Sequence, residues 1–426
     1  MTIHVVAAGQ TLFSIANTYG IDIGLIAGWN GLRPPYALAV GQSLLILEPT
    51  ETYTVQPGDT LSSIARQTGQ TVLQLLRGNP ALGGVDRIYL GQVLAIAYRE
   101  TPQGAIEVNG YAYPFVRPEI LRGIMPYTSY LTPFTYGITT EGGLVNLNDG
   151  ALLTLAAQYG VSPLMHLSTL TENDTFSTQR AELILSDPEK QARLIADAVQ
   201  NVTEKGYRGL DLDFEFLGRD NAAPYAAFAG RMRQAMNALG YPLITALAPK
   251  TSDEQPGLLY EGHDYAALAD ASDAVLLMTY EWGYTYGPPM AVAPIDAVRR
   301  VVAYALGRIP PEKILLGFPN YGYDWTLPYE AGTTKARSIS NEEAVTLAVQ
   351  NGAEIRFDER AQTNWFSYQR GGQLHEVWFE DARSTLAKYN LILEFGLRGI
   401  GFWNYMRPFA AGFSLLNAMF QILPGV

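Results

Sequence analysis

Short apolar runs that alternate with helical stretches are the feature that most limits how this chain can fold. Continuous apolar runs are typical of parallel strands buried on both faces of a sheet. Repeated strand–helix units over roughly 250 to 320 residues indicate an α/β fold, the closed (β/α)8 or TIM barrel. A doubly wound open sheet is the alternative, but its usual glycine-rich phosphate loop after the first strand is missing from the sequence. The predicted strands are residues 127–136, 162–168, 209–216, 243–247, 274–279, 313–318 and 399–403.

One of these runs, residues 209–216, carries a carboxylate at every second position. Side chains two apart on a strand point to the same face, so Asp211, Asp213 and Glu215 are predicted to share one face. The apolar residues between and after them, ending with Phe216, are expected to pack on the opposite face. Three acids on one face of an apolar strand repel each other and are costly to desolvate, so folding alone gains little from them. A site that must keep one carboxyl group protonated and its neighbour charged gains much more.

Active sites of barrels lie at the carboxyl ends of the strands, so Glu215, expected as the last strand residue, should lie closest to substrate. Asp213 should lie one pleat below it and Asp211 deeper, close enough to share a proton with Asp213. Repulsion from Asp213 should raise the pKa of Glu215 and keep it protonated as a general acid. A Ca²⁺ or Mg²⁺ site is one alternative, although those ions prefer loop oxygens of mixed type. A solvated strand face is another, and the flanking apolar residues argue against it.

The remaining segments fit the same architecture. A helix is predicted over residues 188 to 203 with Asp187 as its N-cap, and another over residues 224 to 239, closed by Gly240. Residues of about 325–380 interrupt the alternation with three strand-like runs and a hairpin turn at 370–372, which predicts a small α+β insertion on one loop of the barrel.

The first hundred residues contain a repeat at an offset of 49 to 50. Each copy reads strand, helix, helix, strand, with Thr11 and Thr60 as helix N-caps and Gly20 and Gly69 at the ends of the first helices. Residues 98–108 are expected to be a linker. The predicted domains are residues 1–49, 50–98 and 99–426.

The repeat resembles the LysM domain, a βααβ module. The resemblance implies binding to N-acetylglucosamine-containing glycans, in a groove formed by residues 9–12 with 27–30 in the first copy and 58–61 with 77–80 in the second. Gln10 replaces the usual aspartate, which the second copy retains as Asp59. The implied glycan-binding residues are Gly9, Thr11, Asn30, Gly58, Asp59, Thr60 and Asn79.

Composition excludes several other classes of function. The sequence has no cysteine, four scattered histidines and no apolar run of 18 residues, so disulfides, a zinc site and a membrane span are not expected. The net charge of −12 argues against nucleic acid and anionic membrane surfaces as partners. The N-terminus shows no basic region followed by a long apolar stretch, so no secretory signal peptide is predicted. No cofactor and no metal ion are expected, and a monomer is predicted.

The acidic run resembles the D-G-x-D-x-D-x-E motif of glycoside hydrolase family 18, the chitinase-like barrels, from about residue 106 onward. Residues 278–281, Met-Thr-Tyr-Glu, resemble the end of strand six in that family, and Trp403 resembles the tryptophan that ends its last strand. The insertion resembles the chitinase insertion domain. Two departures are Arg208, in place of the first aspartate of the motif, and residues 165–169, Met-His-Leu-Ser-Thr, in place of the usual strand-three Ser-x-Gly-Gly.

The resemblance implies retaining, substrate-assisted hydrolysis of a β-1,4 bond. Glu215 would protonate the leaving oxygen and later deprotonate water, while Asp213 holds the 2-acetamido group and Asp211 tunes Asp213. Tyr280 would donate to the acetamido carbonyl oxygen, and Trp403 would form the floor under the distorted sugar. The other implied substrate-binding residues are Glu281, Met278, Tyr136, Tyr321 and Trp282.

The combination of two LysM copies and a family 18 barrel resembles the spore cortex-lytic N-acetylglucosaminidases of endospore-forming bacteria. This implies action on cortex peptidoglycan and a place in the outer spore layers, or otherwise an association with the cell wall. A chitinase acting on chitin oligomers is the first alternative. A non-catalytic chitinase-like lectin is the alternative of another class, although Glu215 is retained, and an endoglycosidase on N-linked glycans fits the barrel but not the LysM pair.

Overall fold

The computed structural model describes residues 1–171, 173 and 175–426. The N-terminal part folds as two small modules of the same βααβ order, as the repeat predicts. In each module the two strands pair antiparallel across a pair of short helices. The first module consists of β1 (Thr2–Val5), α1 (Leu12–Tyr19), α2 (Ile23–Trp29) and β2 (Ser43–Ile46). The second consists of β3 (Pro49–Thr54), α3 (Leu61–Gln67), α4 (Val72–Gly78) and β4 (Val93–Tyr98).

Local side-chain bonds explain why both copies adopt this shape. Thr11 and Thr60 are N-caps of capping boxes at the start of α1 and α3, which confirms the prediction for both. Ahead of each cap, one acceptor side chain closes the turn. Asp59 accepts from the Gln56 backbone N–H at 2.7 Å, and Gln10 accepts from that of Ala7 at 2.8 Å. The first copy therefore keeps the turn although it lacks the aspartate.

Asn30 and Asn79 join the end of the second helix to the last strand of their modules. The Asn79 amide donates to the carbonyl oxygens of Leu75 and Ala95 and accepts from the Ala95 N–H, all at 2.8–2.9 Å. Asn30 makes the same three bonds to Ile26 and Leu45. Both side chains are buried and their amides are engaged inside the module. The expectation that Asn30 and Asn79 contact glycan is therefore wrong.

Residues from Gly104 onward form a barrel with a short terminal strand and an inserted sheet. Parallel pairing runs from one barrel strand to the next, and the strand that follows β20 around the barrel is β5, so the sheet closes. Strands β9 and β10 are two parts of one barrel strand, which pairs with β6 on one side and β11 on the other. The barrel strands are β5 (Gly104–Ala112), β6 (Tyr130–Pro133), β9 (Ser162–Pro163) with β10 (Met165–Ser168), β11 (Leu210–Asp213), β12 (Leu243–Leu247), β13 (Ala274–Leu277), β14 (Ile314–Pro319) and β20 (Gly399–Trp403).

Short strands outside the barrel are β7 (Gly137–Ile138), β8 (Leu144–Val145) and β21 (Phe420–Ile422). Helices cover the outer face of the barrel, and their apolar sides form the main core with the outward residues of the strands. The α-helices after the second module are α5 (Pro118–Ile124), α6 (Gly150–Tyr159), α7 (Thr178–Leu185), α8 (Pro188–Lys205), α9 (Ala222–Ala238), α10 (Leu258–Glu261), α11 (Tyr265–Asp270), α12 (Ile295–Leu306), α13 (Asn341–Gln350), α14 (Ala382–Phe395) and α15 (Ala410–Met419). Four 3₁₀ turns lie at Pro80–Leu82, Met125–Tyr127, Arg219–Asn221 and Pro311–Lys313.

The predicted insertion is present as an antiparallel sheet of five strands with α13 packed on it. Its central hairpin turns at Gly371 and Gly372, which both have positive φ, as a two-residue hairpin requires. The strands are β15 (Gly322–Leu327), β16 (Arg337–Ile339), β17 (Arg356–Asp358), β18 (Thr363–Arg370) and β19 (Gln373–Phe379).

The structure corrects three details of the predicted barrel. The first barrel strand, β5, occupies part of the segment expected to be a linker. The acidic strand β11 ends at Asp213, so Glu215 lies beyond the strand instead of being its last residue. Phe216 adopts a left-handed φ of 56° and is 42% exposed, so it does not pack with the apolar face of that strand.

Both modules are packed against the rest of the chain. The indole N–H of Trp29 in the first module donates to the Gly78 carbonyl of the second at 3.2 Å. The Arg77 Nε donates to the carbonyl of Pro126, ahead of β6, at 2.5 Å. The Ile355 N–H of the insertion donates to the Val40 carbonyl of the first module at 2.9 Å. No helix among the described residues is long and apolar enough to span a bilayer.

We predict that Asn79→Ala lowers the free energy of unfolding by about 2–4 kcal/mol, because it removes the side-chain partner of the buried backbone N–H and C=O of Ala95. Chemical denaturation followed by circular dichroism measures this change. Gln67→Ala, at an exposed position of α3, is the control and should change stability by less than about 0.5 kcal/mol. Equal stability of the two variants would contradict the structural role of Asn79.

Candidate active site

The row of acids points into the barrel from β11. Asp211 and Asp213 are buried on its inner face, in register with His166 and Ser168 of β10. Alternation continues past the end of the strand, because the next outward residue, Phe214, is fully buried between the helices. Its ring stacks on Tyr225 and its carbonyl oxygen lies 2.9 Å from the Nε2 of His263. Phe214 thus fixes the backbone that directs the Glu215 side chain into the cleft.

Burial raises the pKa of two of the three acids, Asp211 and Glu215. Desolvation, followed by repulsion from Asp213, raises the pKa of Glu215 to about 8. Desolvation also raises the pKa of Asp211 to about 6. The charge of His166 and a 2.6 Å hydrogen bond from the Tyr111 hydroxyl act in the opposite direction and lower this pKa. Glu215 therefore carries a proton at neutral pH, as the acidic run predicts for a general acid.

Two carboxylate oxygens of the row, the Oδ1 atoms of Asp211 and Asp213, are buried without a hydrogen-bond partner. The other oxygen of Asp213 lies 3.5 Å from the Nε2 of His166. Unpaired acceptors of this kind are uncommon in a protein interior, because each one costs desolvation energy. Asp213 Oδ1, which lines the cleft, therefore has acceptor capacity for a donor on a bound molecule. Within the described part of the chain, no group of three or more acidic or histidine side chains is arranged to hold a metal ion.

A cleft of about 330 Å³ opens above the acids. Its walls are largely aromatic, and flat ring faces suit the apolar faces of sugar rings. Trp403, at the end of β20, lies edge-on to Phe134 with ring centres 4.8 Å apart, and it also contacts Tyr111. The lining residues are Tyr111, Tyr113, Phe134, His166, Phe176, Asp213, Glu215, Ala246, Pro249, Leu259, Tyr260, Leu276, Met278, Tyr280, Glu281, Trp282 and Trp403.

The segment after β13 supplies four lining residues. Tyr280 was predicted to act in catalysis, and Met278, Glu281 and Trp282 were predicted to bind substrate. Burial and the nearby acids raise the pKa of the Tyr280 hydroxyl well above its usual value, so it remains a donor. Glu281 adopts a left-handed φ of 67° and accepts hydrogen bonds from the hydroxyls of Tyr321 and Tyr323. Tyr321 is buried and is not among the lining residues. It reaches the cleft only through Glu281.

Tyr136 does not line the cleft, which corrects the prediction for this residue. It is fully buried, its hydroxyl donates to Asp149 and it accepts from the Lys205 ammonium at 2.6 Å. Its ring lies near that of Tyr207, which also donates to Asp149. This cluster lies outside the cleft and ties the loop after β6 to the end of α8.

Several lining residues were missed from the sequence. Tyr111 lies on β5 and Tyr113 lies just after it. Neither was predicted, because the start of β5 was assigned to a linker. Phe134 and His166 lie in predicted strands, but an isolated aromatic residue in an apolar run carries no signal of its own. Tyr260 lies on α10, after β12, where nothing in the sequence marks a cleft wall.

The predicted glycan-binding residues of the modules fall into two groups. Gly9, Thr11, Gly58, Asp59 and Thr60 lie in the exposed or half-exposed first loops of the two copies. Gly9 and Gly58 have φ of 80° and 87°, which the tight turns there require. The second loops of both predicted grooves are largely buried at module contacts.

Three exposed apolar residues near the first loops were not predicted. Phe13, at 66% exposure, follows the Thr11 cap of the first copy. Tyr89 and Leu90 of the second copy are 64% and 72% exposed. They precede Gly91, whose N–H donates to the Val55 carbonyl, so they lie beside the turn that contains Gly58.

A closed parallel barrel with inward acids at its strand ends, beneath a cleft of aromatic rings, defines an enzyme that cleaves glycosidic bonds. The family model Glycosyl hydrolases family 18 matches residues 172–407, and the LysM domain model matches residues 4–47 and 53–97. The chain belongs to glycosyl hydrolase family 18 and carries two LysM domains. Both kinds of domain indicate glycan binding.

Relatives of known description match along nearly the whole chain. The cortical fragment-lytic enzyme of Bacillus subtilis (strain 168) is 40% identical over 430 residues, which cover 99% of each chain. The spore cortex-lytic enzyme SleL of Bacillus cereus superposes with a TM-score of 0.84 at 33% identity, covering 99% of this chain and 98% of that one. SleL of Bacillus megaterium QM B1551 gives 0.83 at 35% identity, covering 100% and 99%.

The raised pKa of Glu215 predicts a stability effect with a definite sign. The pKa of about 8 lies above the ordinary value of 4.5, so the folded state holds a proton that the unfolded state has lost in this interval. The contribution of Glu215 to stability therefore falls as pH rises from about 4.5 to 8. We predict that Glu215→Gln stabilises the protein relative to wild type at pH 8, by roughly 1–3 kcal/mol, and much less at pH 4.5. Thermal or urea unfolding at both pH values tests this, and a difference independent of pH would contradict it.

Proposed function

We propose that the barrel hydrolyses the β-1,4 bond that follows N-acetylglucosamine in spore cortex peptidoglycan, with retention of configuration and with help from the acetamido group of the substrate. The observation that carries the proposal is the pairing of a protonated Glu215 with an unpartnered acceptor, Asp213 Oδ1, in one aromatic cleft. A second carboxylate acting as nucleophile is not required, because family 18 is an exception to that scheme.

Glu215 performs the proton transfers. Its proton passes to the glycosidic oxygen as the bond to the anomeric carbon breaks, and the resulting carboxylate then removes a proton from water. A carboxyl group with a pKa near 8 is protonated before the first step at neutral pH, as a general acid must be.

Asp213 directs the substrate's own nucleophile. Its free Oδ1 accepts the acetamido N–H, so that the acetamido carbonyl oxygen attacks the anomeric carbon and forms an oxazolinium ion. The negative charge of Asp213 then stabilises this cation. Asp211, one layer deeper and held by Tyr111, sets the charge of Asp213.

The surrounding side chains hold the sugar in place. Tyr280 donates to the acetamido carbonyl oxygen, and Trp403 lies under the ring of the reacting sugar. Glu281, Trp282 and Met278 contact the sugar from the segment after β13. Tyr321 contributes by holding the Glu281 carboxylate.

The polymer is inferred from the relatives. Proteins named as cortical fragment-lytic and spore cortex-lytic enzymes match 98–99% or more of this chain, both modules included. We therefore place the protein at the spore cortex, in the outer spore layers, acting as a monomer. The acetamido group is a chemical requirement of the site, so an N-acetylated sugar must lie on the non-reducing side of the bond; N-acetylglucosamine and N-acetylmuramic acid both meet it, and the proposal takes the former. Chitin shares this sugar and is the competing substrate.

We predict that Glu215→Gln lowers kcat at least roughly a thousandfold and leaves binding of soluble cortex fragments within about twofold, because the amide keeps the shape but has no acidic proton. Reducing-end release and isothermal calorimetry measure the two effects. Glu254→Gln, an exposed acid on the loop after β12, is the control for loss of a charge. Near-wild-type hydrolysis by Glu215→Gln would overturn the assignment.

Mass spectrometry of the products distinguishes the polymers. We expect purified cortex to yield fragments that end in a reducing N-acetylglucosamine. Colloidal chitin cut readily while cortex fragments stay intact would favour the chitinase alternative. Tight binding without any hydrolysis by the wild-type protein would favour the lectin alternative.

The exposed rings of the modules provide a test of glycan tethering. We predict that Phe13→Ala combined with Tyr89→Ala lowers the rate on insoluble cortex roughly three- to tenfold, because each ring offers a stacking face to a sugar. The rate on soluble fragments should stay unchanged. These substitutions are preferable to deletion of the modules, which would uncover their contacts with the barrel. Equal losses on both substrates would contradict tethering by these surfaces.

A further inference from the structure

His166 is a buried imidazole beside the row of acids, at a strand position that none of the roles above uses. It is 1% exposed, and its register partner on β11 is Asp211. Its Nε2 lies 3.5 Å from Asp213 Oδ2, and its Nδ1 lies 2.5 Å from the Thr135 hydroxyl. The rings of Tyr111 and Phe134 contact it at 5.6 and 4.7 Å between centres. The imidazole is thus held on every side and touches one reacting carboxylate.

The partners of the ring can accept from both of its nitrogens. The Thr135 hydroxyl has one proton, and two acceptors lie 3.0 Å from it, the Tyr136 carbonyl oxygen and the Ser168 hydroxyl oxygen. When the hydroxyl donates to either of them, its oxygen is left to accept from Nδ1–H of His166. On the opposite side, Nε2 faces a carboxylate oxygen, which also accepts. An imidazolium therefore fits the partners on both sides of the ring.

We propose that His166 is a positioning residue of the hydrolytic site: as an imidazolium it holds Asp213 in its inward-facing position and keeps the Asp211–Asp213 pair negatively charged while Glu215 retains its proton. This inference rests on the proposed function of the same cleft. The positive charge offsets the repulsion between two buried carboxylates one pleat apart. It also occupies Asp213 Oδ2, so that Oδ1 is left free for the acetamido N–H.

The titratable groups that face the ring are few. Asp211 and Asp213 approach it from β11, and Tyr111 approaches it from β5. The pKa of Tyr111 is raised well above its usual value by burial and by Asp211, so this hydroxyl stays neutral. Glu215 and Tyr280 line the same cleft farther along. The ring's charge thus acts chiefly on the two aspartates.

Two substitutions separate the charge of His166 from its polar contact with Asp213. His166→Gln keeps a neutral donor toward Asp213, whereas His166→Ala removes both donor and charge. We expect His166→Ala to lower kcat on soluble fragments roughly a hundredfold with KM nearly unchanged, because Asp213 is no longer held in its working position. In both variants the acid limb of the pH–kcat profile should move up by about one pH unit, because the aspartates lose a neighbouring cation. His166→Gln should recover part of kcat but not the position of this limb.

His375→Gln is the matched control. His375 also pairs with an aspartate, Asp324, at 2.9 Å, but in the inserted sheet. This variant should lose stability without moving the acid limb. An unmoved limb in both His166 variants, or a His166→Gln profile identical to wild type, would overturn the proposal.

The wild-type protein offers a measurement that does not depend on any variant folding. The chain has four histidines, so ring-labelled His166 can be followed by NMR in the full-length protein. We expect signals of a doubly protonated ring at pH 7, and a neutral ring there would overturn the inference. If the wild-type enzyme cleaves no N-acetylglucosamine-containing glycan, the proposed function fails. If it cleaves one while His166 is neutral at pH 7, only this inference fails.

Discussion

Repulsion between carboxyl groups buried on one strand is the constraint on which the rest of the site depends. A parallel barrel directs every second residue of β11 inward, so Asp211 and Asp213 cannot turn to solvent without breaking the strand, and Glu215, two residues further on, lines the same cleft. In a medium of low dielectric, three such groups cannot all be charged. The row resolves this by unequal protonation, with Glu215 holding a proton at neutral pH. Burial, reinforced by repulsion from Asp213, therefore keeps on Glu215 the proton that the proposed reaction needs.

The packing outside the barrel maintains this arrangement. Glu215 follows the end of β11, where ladder hydrogen bonds no longer fix the backbone. Phe214 takes over that function, because its ring is enclosed by Tyr225 and Phe228 and its backbone is bonded to His263 and Tyr225. Immediately afterward the chain turns away through the left-handed Phe216. Glu215 is thus positioned by the packing of its neighbour Phe214 on the opposite face. The active site therefore depends on ordinary core packing outside the barrel.

The sequence predicts the barrel and the acidic row well because both follow from local periodicity. The alternation of residues 209–216 places the carboxylates correctly even though the strand ends at Asp213. The backbone beyond the last strand hydrogen bonds still directs every second side chain to the same side. The prediction that Tyr136 lines the cleft is wrong because its position near a strand does not reveal its partners. Asp149 and Lys205 come from other segments and bind its hydroxyl outside the cleft. The resemblance alone named Asn79 as a glycan contact, and the sequence did not reveal that its amide bonds to β4. Non-local partners determine such residues, and a single sequence does not reveal them.

Attachment of the modules to the barrel changes what they can contribute. Modules on a flexible linker raise only the local concentration of substrate, because every orientation is sampled. Here Arg77 bonds to the segment before β6, and Val40 bonds to the insertion. In the proposed tethering, a glycan chain held at Phe13 or Tyr89 is therefore presented to the cleft in a restricted range of directions. The proposed tethering then lowers the entropic cost of orienting a stiff polymer in addition to raising its local concentration. Because the second loop of each predicted groove is largely buried, the exposed first loops and their neighbouring rings are the surfaces on which this proposal rests.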